Sequence, residues 1–170
     1  MQITRQADYA VRAVLYLSRM GENQRAATST VAQEQRIPPS FLAKIISQLS
    51  IAGLLHTSRG ARGGVTLARE PKDITLLEVI EAIDGPIMLN ECVGDAGICT
   101  FDKNCPLRPV WCDAQDELVK RLKGTTFNQL LTQQYYFHVM SVRKIIAEQN
   151  LISGLRGRLL YLMKVKLGIC

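Results

Sequence analysis

The chain has 170 residues, enough for one domain or for one compact module with an arm through which it could dimerise. With 47% hydrophobic and 21% charged residues, disorder over the whole length is excluded. The opening MQITRQADYAVRAVLYL sets Arg5, Asp8 and Arg12 inside its apolar stretch and no later run reaches a membrane-spanning length, so no signal peptide or membrane span is expected and the location should be cytoplasmic.

The formal charge of +6 is uneven: residues 1–75 hold ten Lys/Arg against five Asp/Glu, 76–124 hold five against nine, and 125–170 hold six against one. A basic N-terminal module is the electrostatic footprint of a nucleic-acid binder once a motif stands beside it. Ile3, Ala7, Ala10, Val11, Val14, Leu15 and Leu17 recur at steps of three and four, which predicts an amphipathic helix stopped by Gly21. Thr28 or Ser29 is the expected cap of a short helix through Gln35. IPPS then breaks the chain before a third helix, with Ser40 as its cap and Phe41, Leu42, Ile45, Ile46 and Leu49 as its buried stripe. Gly53 ends that helix, and LLHTSRGARGGVTLARE reads as two short strands around a glycine- and arginine-rich tip.

Thr75 can cap LLEVIEAIDG, which Gly85-Pro86 terminates. After Pro106, Val110, Ala114, Leu118 and Leu122 step by four beside Trp111 and Val119, predicting a long helix to Gly124. That stripe has no evident groove in the small N-terminal module, so a homodimer is expected. TTFNQLL starts one more short helix. The order is that of a winged helix-turn-helix: mainly α with a small β-hairpin wing, plus a long dimerisation helix.

In a helix-turn-helix the second helix lays its N-terminal residues in the major groove. Here Ser40, Lys44, Ser47 and Gln48 lie off the apolar stripe and carry donors and acceptors for bases or phosphates of double-stranded DNA. Arg59 and Arg62 sit in SRGARGG, a turn slim enough to approach a backbone or enter a narrow minor groove. No nucleotide loop, catalytic triad or paired acid-base constellation is visible, so no enzyme is expected.

The segment ECVGDAGICTFDKNCPLRPVWC places Cys92, Cys99, Cys105 and Cys112 with six, five and six residues between them, and Gly94, Gly97 and Asn104 allow the chain to fold back. Clustered thiols in a reducing compartment point to metal or redox chemistry. Thiolates suit iron-sulfur clusters and zinc, and the chain lacks the tight pairs of most structural zinc sites. A cluster, a zinc site, a thiol switch and unligated apolar cysteines remain open on spacing.

Taken together, ITRQADYAVRAVLYL, IPPSFLAKIISQL, SRGARGGVTLAREPKDITLLEVIEAIDG and the cysteines leading into CPLRPVW and TTFNQLL resemble the Rrf-two type of bacterial transcription regulators over residues 1 to 131. The resemblance implies a homodimeric winged-helix protein whose cysteine loop holds an iron-sulfur cluster, 2Fe-2S or 4Fe-4S, that controls operator affinity in response to nitric oxide, redox state or iron supply. Cys92, Cys99 and Cys105 match the three family ligands, the first gap being one residue longer than in the IscR-like pattern. IscR-like members add a histidine three places after the last cysteine, where this chain has Arg108. NsrR-like members use an aspartate on the first helix, reaching the cluster of the partner subunit, and Asp8 matches it. Cys112 is the rival fourth ligand, and an ordinary ion pair with Arg5 or Arg12 is the competing role for Asp8.

The expected organisation is thus residues 1-85 as the DNA-binding domain, 86-106 as the cysteine loop, 107-131 as the dimerisation helix and 132-170 as a basic extension. That extension, with Cys170 and His138, is assigned no role, although basic amphipathic segments also favour anionic surfaces.

Overall fold

The structure is a computed structural model that describes residues 2–21, 24–60, 63–94, 97–101 and 104–132. The chain divides into two units, Met1–Leu131 and Thr132–Cys170. Of the second only Thr132 is described, so the basic extension, His138 and Cys170 lie outside the described residues, as do Ala61 and Arg62.

The first helix, α1 (Arg5–Arg19), starts where the Thr4 hydroxyl accepts the Ala7 N–H, and buries Ala7, Ala10, Ala13, Val14, Leu17 and Ser18. Ser18 is the one polar residue of the core among the described residues, and its hydroxyl donates to the Val14 carbonyl at 2.8 Å. The second helix, α2 (Thr28–Gln35), has Ala27 at its cap position and no side-chain cap bond, so Thr28 is its first residue and neither Thr28 nor Ser29 caps it. It closes with the Ile37 N–H on the Ala32 carbonyl and the Arg36 N–H on the Gln33 carbonyl, a Schellman turn that buries Ile37 against the helix end.

The third helix, α3 (Pro39–Ile51), packs through Leu42, Ile45, Ile46 and Leu49. Two expectations fail here. Ser40 lies inside the helix rather than at its cap, because Pro39 enters the first turn with its φ preset and no N–H to satisfy. Phe41 is 49% exposed, because it falls just off the stripe and rests edge-on against Tyr9, ring centroids 6.3 Å apart.

Strands β1 (Leu55–Ser58) and β2 (Gly64–Leu67) pair antiparallel from Leu55 opposite Leu67 to Ser58 opposite Gly64. Ala26 and Val65 exchange backbone hydrogen bonds at 3.0 and 2.9 Å, tying the hairpin to the chain before α2. This approach needs Gly64: a Cβ there would stand 2.5 Å from the Ala26 carbonyl oxygen.

The fourth helix, α4 (Leu76–Asp84), opens with a full capping box: Thr75 accepts the Glu78 N–H, and Glu78 accepts the Thr75 N–H at 2.8 Å. The Arg69 guanidinium also pairs with Glu78 at 2.8 Å. The strands' successor segment is closed from behind by residues far along the chain, since the Leu76 N–H donates to the Thr125 carbonyl and the Phe127 N–H to the Ile74 carbonyl. Phe127, at the start of the last described helical turn, is completely buried.

A one-turn helix, α5 (Glu91–Gly94), and the long α6 (Arg108–Lys123) follow. The expectation that the α6 stripe lacks an intramolecular partner is half corrected. Leu118, Val119 and Leu122 pack on a second apolar cluster of Leu77, Ile80 and Ile87, because α4 is apolar on two sides. Val110 and Trp111, at the other end, stay 60% and 40% exposed.

Thr75→Ala removes half of the capping box and is expected to lower the unfolding free energy by about 1 kcal/mol, read as a lower urea midpoint. Burial pushes the Glu78 carboxyl up, but the Thr75 N–H, the Arg69 and Thr75 side chains and the Arg69 charge together outweigh it and hold the group below its ordinary value. A depressed carboxylate stabilises the fold fully above its unfolded value, and that contribution is lost as pH falls through the folded one. The stability gap between wild type and Glu78→Gln should therefore narrow on acidification; a gap that widens in acid unfolding titrations would contradict this.

Candidate nucleic-acid interface and cysteine segment

The recognition surface follows from the side α3 leaves unburied. With Leu42, Ile45, Ile46 and Leu49 turned inward, Ser40, Lys44 and Ser47 fall on the opposite side and are exposed. Gln48 lies at the flank and is half-buried, its side-chain oxygen accepting a short hydrogen bond from the Gln6 amide on α1. Arg59 is exposed at the hairpin tip, next to Gly60; Arg62 lies outside the described residues.

Helix α1 touches both members of the helix-turn-helix through polar side chains. Gln6 holds Gln48 of α3, and Arg12 donates to the Gln35 carbonyl, the last residue of α2, at 3.0 Å. The Arg12 guanidinium also lies 4.8 Å from the Tyr9 ring centroid, and Tyr9 carries Phe41. Asp8 sits among these residues with its side chain 53% exposed, its carboxylate 3.3 Å from the Arg12 Nε. The first helix is pinned at its start as well: Asp84, the last residue of α4, accepts the Thr4 N–H at 3.0 Å and the Thr4 hydroxyl at 2.6 Å. A carboxylate at a helix C-terminus faces the wrong dipole, and this one instead serves the N-terminus of α1.

The cysteine segment begins immediately after that latch, past Gly85. Cys92 lies on α5, Cys112 on α6, and Cys99 and Cys105 between them; all four are half-buried and none is joined in a disulfide. Cys99 and Cys105 line one open pocket of about 560 Å³ with Phe101, Asn104 and Leu107. The Cys92 carbonyl accepts the Arg108 Nε–H at 3.1 Å, and the Leu89 N–H donates to the Gln115 side chain at 3.0 Å, so α6 holds the short helix and the chain leading into it. Arg108 is therefore a structural clasp between α6 and the backbone at Cys92. In donor type the segment suits a thiolate-held cluster, with three soft sulfurs and two of them around one apolar pocket. Among the described residues no three Cys, His, Asp or Glu side chains converge on a common metal position, and Asp8 is engaged with Arg12 within its own chain.

No helix among the described residues is long and apolar enough to cross a membrane. Residues 3–133 match the family model Rrf2, described as an iron-dependent transcriptional regulator. The chain is 30% identical over 135 residues to the HTH-type transcriptional regulator NsrR of Shouchella clausii, covering 79% of this chain and 91% of that protein. It is 30% identical over 134 residues to IscR of Escherichia coli O1:K1 / APEC, covering 79% and 82%. Among solved structures, CymR, the global cysteine regulator of B. subtilis, superposes with a TM-score of 0.66 at 26% identity, covering 78% of this chain and 98% of that one. T. potens IscR superposes at 0.63 with 23% identity, over 79% and 88%, and shares the fold.

Asp84→Ala should free the start of α1 while leaving the core filled, at a cost of about 1 kcal/mol for the two hydrogen bonds. Amide exchange should rise in the first turn of α1 and stay unchanged in α3; unchanged protection in α1 would show that the Thr4 cap alone holds that turn.

Proposed function

Since the chain belongs to the Rrf2 family and is a DNA-binding transcriptional regulator rather than an enzyme, we propose that it works as a homodimer whose operator affinity is set by an iron-sulfur cluster. The observation that carries this reading is the placing of a thiol-rich segment directly after Asp84, the residue that pins the helix touching both members of the helix-turn-helix.

Cys92, Cys99 and Cys105 would hold the cluster, with Asp8 of a partner subunit as the fourth ligand. When bound, the cluster supplies a redox- and nitric-oxide-sensitive centre whose weakest-held iron is open to attack. The rest of the mechanism rests on the chain's own groups. Ser40, Lys44, Ser47 and Gln48 meet base edges or phosphates in the major groove, and Arg59 and Arg62 meet the backbone or the minor groove. Asp8 is paired with Arg12, and Arg12 holds the Gln35 carbonyl at the turn before α3. Drawing Asp8 away changes what Arg12 is bonded to at that turn. A ligand shifts an equilibrium only through such differential contacts, and the Asp8–Arg12 pair is one such contact.

The test is anaerobic purification with a visible spectrum, iron and sulfide content, and DNA gel shifts before and after nitric oxide or oxygen. A coloured protein whose DNA binding changes as the colour bleaches is expected. A colourless, iron-free protein that still binds DNA would favour the second reading, a thiol switch or zinc site, for which the shared pocket of Cys99 and Cys105 speaks. Asp8→Ala should keep the fold and speed cluster loss; equal loss rates and equal operator affinity would remove Asp8 from the scheme. Lys44→Ala should weaken DNA binding and, if the contact is to a phosphate, reduce the slope of log affinity against log salt by about 1.

A further inference from the structure

Arg36 stands where the backbone calls for glycine. It is the residue after α2, at φ 51° and ψ 47°, in the left-handed region. Among the described residues it is the one non-glycine with positive φ, whereas Gly21 and Gly53 hold the positive-φ positions that follow α1 and α3. The Schellman bonds from Arg36 to Gln33 and from Ile37 to Ala32 show that the turn requires this conformation, in which a Cβ crowds the neighbouring carbonyl. The sequence thus keeps a strained residue at a point where glycine would relieve it, and the side chain retained is a long cation.

Its surroundings say what that cation is for. Arg36 is exposed, and among the described residues no carboxylate pairs with it. It lies three positions before Pro39, the first residue of α3, whose N-terminus enters the groove in a helix-turn-helix. In a helix-turn-helix the first helix of the pair crosses the DNA backbone, which brings phosphates toward the turn that joins the pair. Arg12 fixes the preceding carbonyl, Gln35, and the buried Ile37 fixes the following residue, so the base of the side chain is rigidly held. The α3 N-terminus adds its own partial positive charge beside it.

We propose that Arg36 is a DNA-phosphate contact that positions the recognition helix; the proposal rests on the DNA-binding reading above. A phosphate contact carries no sequence information, so it is measurable on DNA of any sequence. The probe is therefore a fluorescein-labelled mixed-sequence duplex, titrated with the full-length chain at several salt concentrations, alongside urea unfolding of the same variants.

Arg36→Gly should unfold at a higher urea midpoint than wild type yet bind the duplex about three- to tenfold more weakly, with the salt slope reduced by about 0.9 per protomer bound. Arg36→Lys should restore most of the slope. These opposite signs separate a DNA contact from a folding role, since a residue kept for the fold would lose stability and binding together. Wild-type slope in Arg36→Gly, or a slope in Arg36→Lys as shallow as in Arg36→Gly, overturns the inference alone. Wild-type protein that fails to bind the duplex overturns the DNA-binding reading and this inference with it.

Discussion

The fold depends on how closely other elements can approach the first helix. Ala7, Ala10 and Ala13 are each 1% exposed or less and present methyl groups where most core helices carry branched side chains. Short side chains let α3, α4 and the wing strand β2 all pack on one helix of fifteen residues. Larger residues there would overpack a core already at close density. The same helix has a second face whose polar residues reach outward, through Gln6, Tyr9 and Arg12, to the turn and the recognition helix. The buried face and the face that reaches the helix-turn-helix are therefore two sides of one rod.

The order of elements was legible because each carries a local signal: three- and four-residue periodicity, Gly21 and Gly53 as stops, Thr75 as a cap. Thr75 was readable as a cap from the sequence, and the structure adds Glu78 as its reciprocal partner in a capping box. Failures came where a local signal competed with geometry set elsewhere. Ser40 looks like a cap, but Pro39 already supplies the helix start. Phe41 looks like core by hydrophobicity, yet stands at the edge of the stripe, where only Tyr9 of another helix gives it a place. The Phe127 clasp joins segments some fifty residues apart, and no periodicity within either segment announces it.

For the candidate site, the thiol segment and the outward face of α3 were readable from residue type and spacing. Whether three sulfurs face one point was not, because spacing bounds what a loop can do without fixing what it does. The bond between Gln48 and Gln6 was also hidden: a glutamine off the apolar stripe reads as a surface donor, and this contact appears only when α1 is laid across α3. Arg36 left no trace in the pattern, since a left-handed residue is a property of the backbone and any side chain with a Cβ is disfavoured there.

The division of apolar contacts into two clusters has a mechanical meaning. The larger cluster joins α1, α2, α3, the wing and Phe127, while only Leu77, Ile80 and Ile87 form the buried part of the smaller one under α6. Helix α4 contributes to both, so it is a shared wall between a thick joint and a thin one. Separating α6 from that wall would uncover three buried side chains and leave the larger cluster intact. The described residues thus form two apolar clusters of unequal size, and the smaller is the one covered by α6, the helix that carries Cys112.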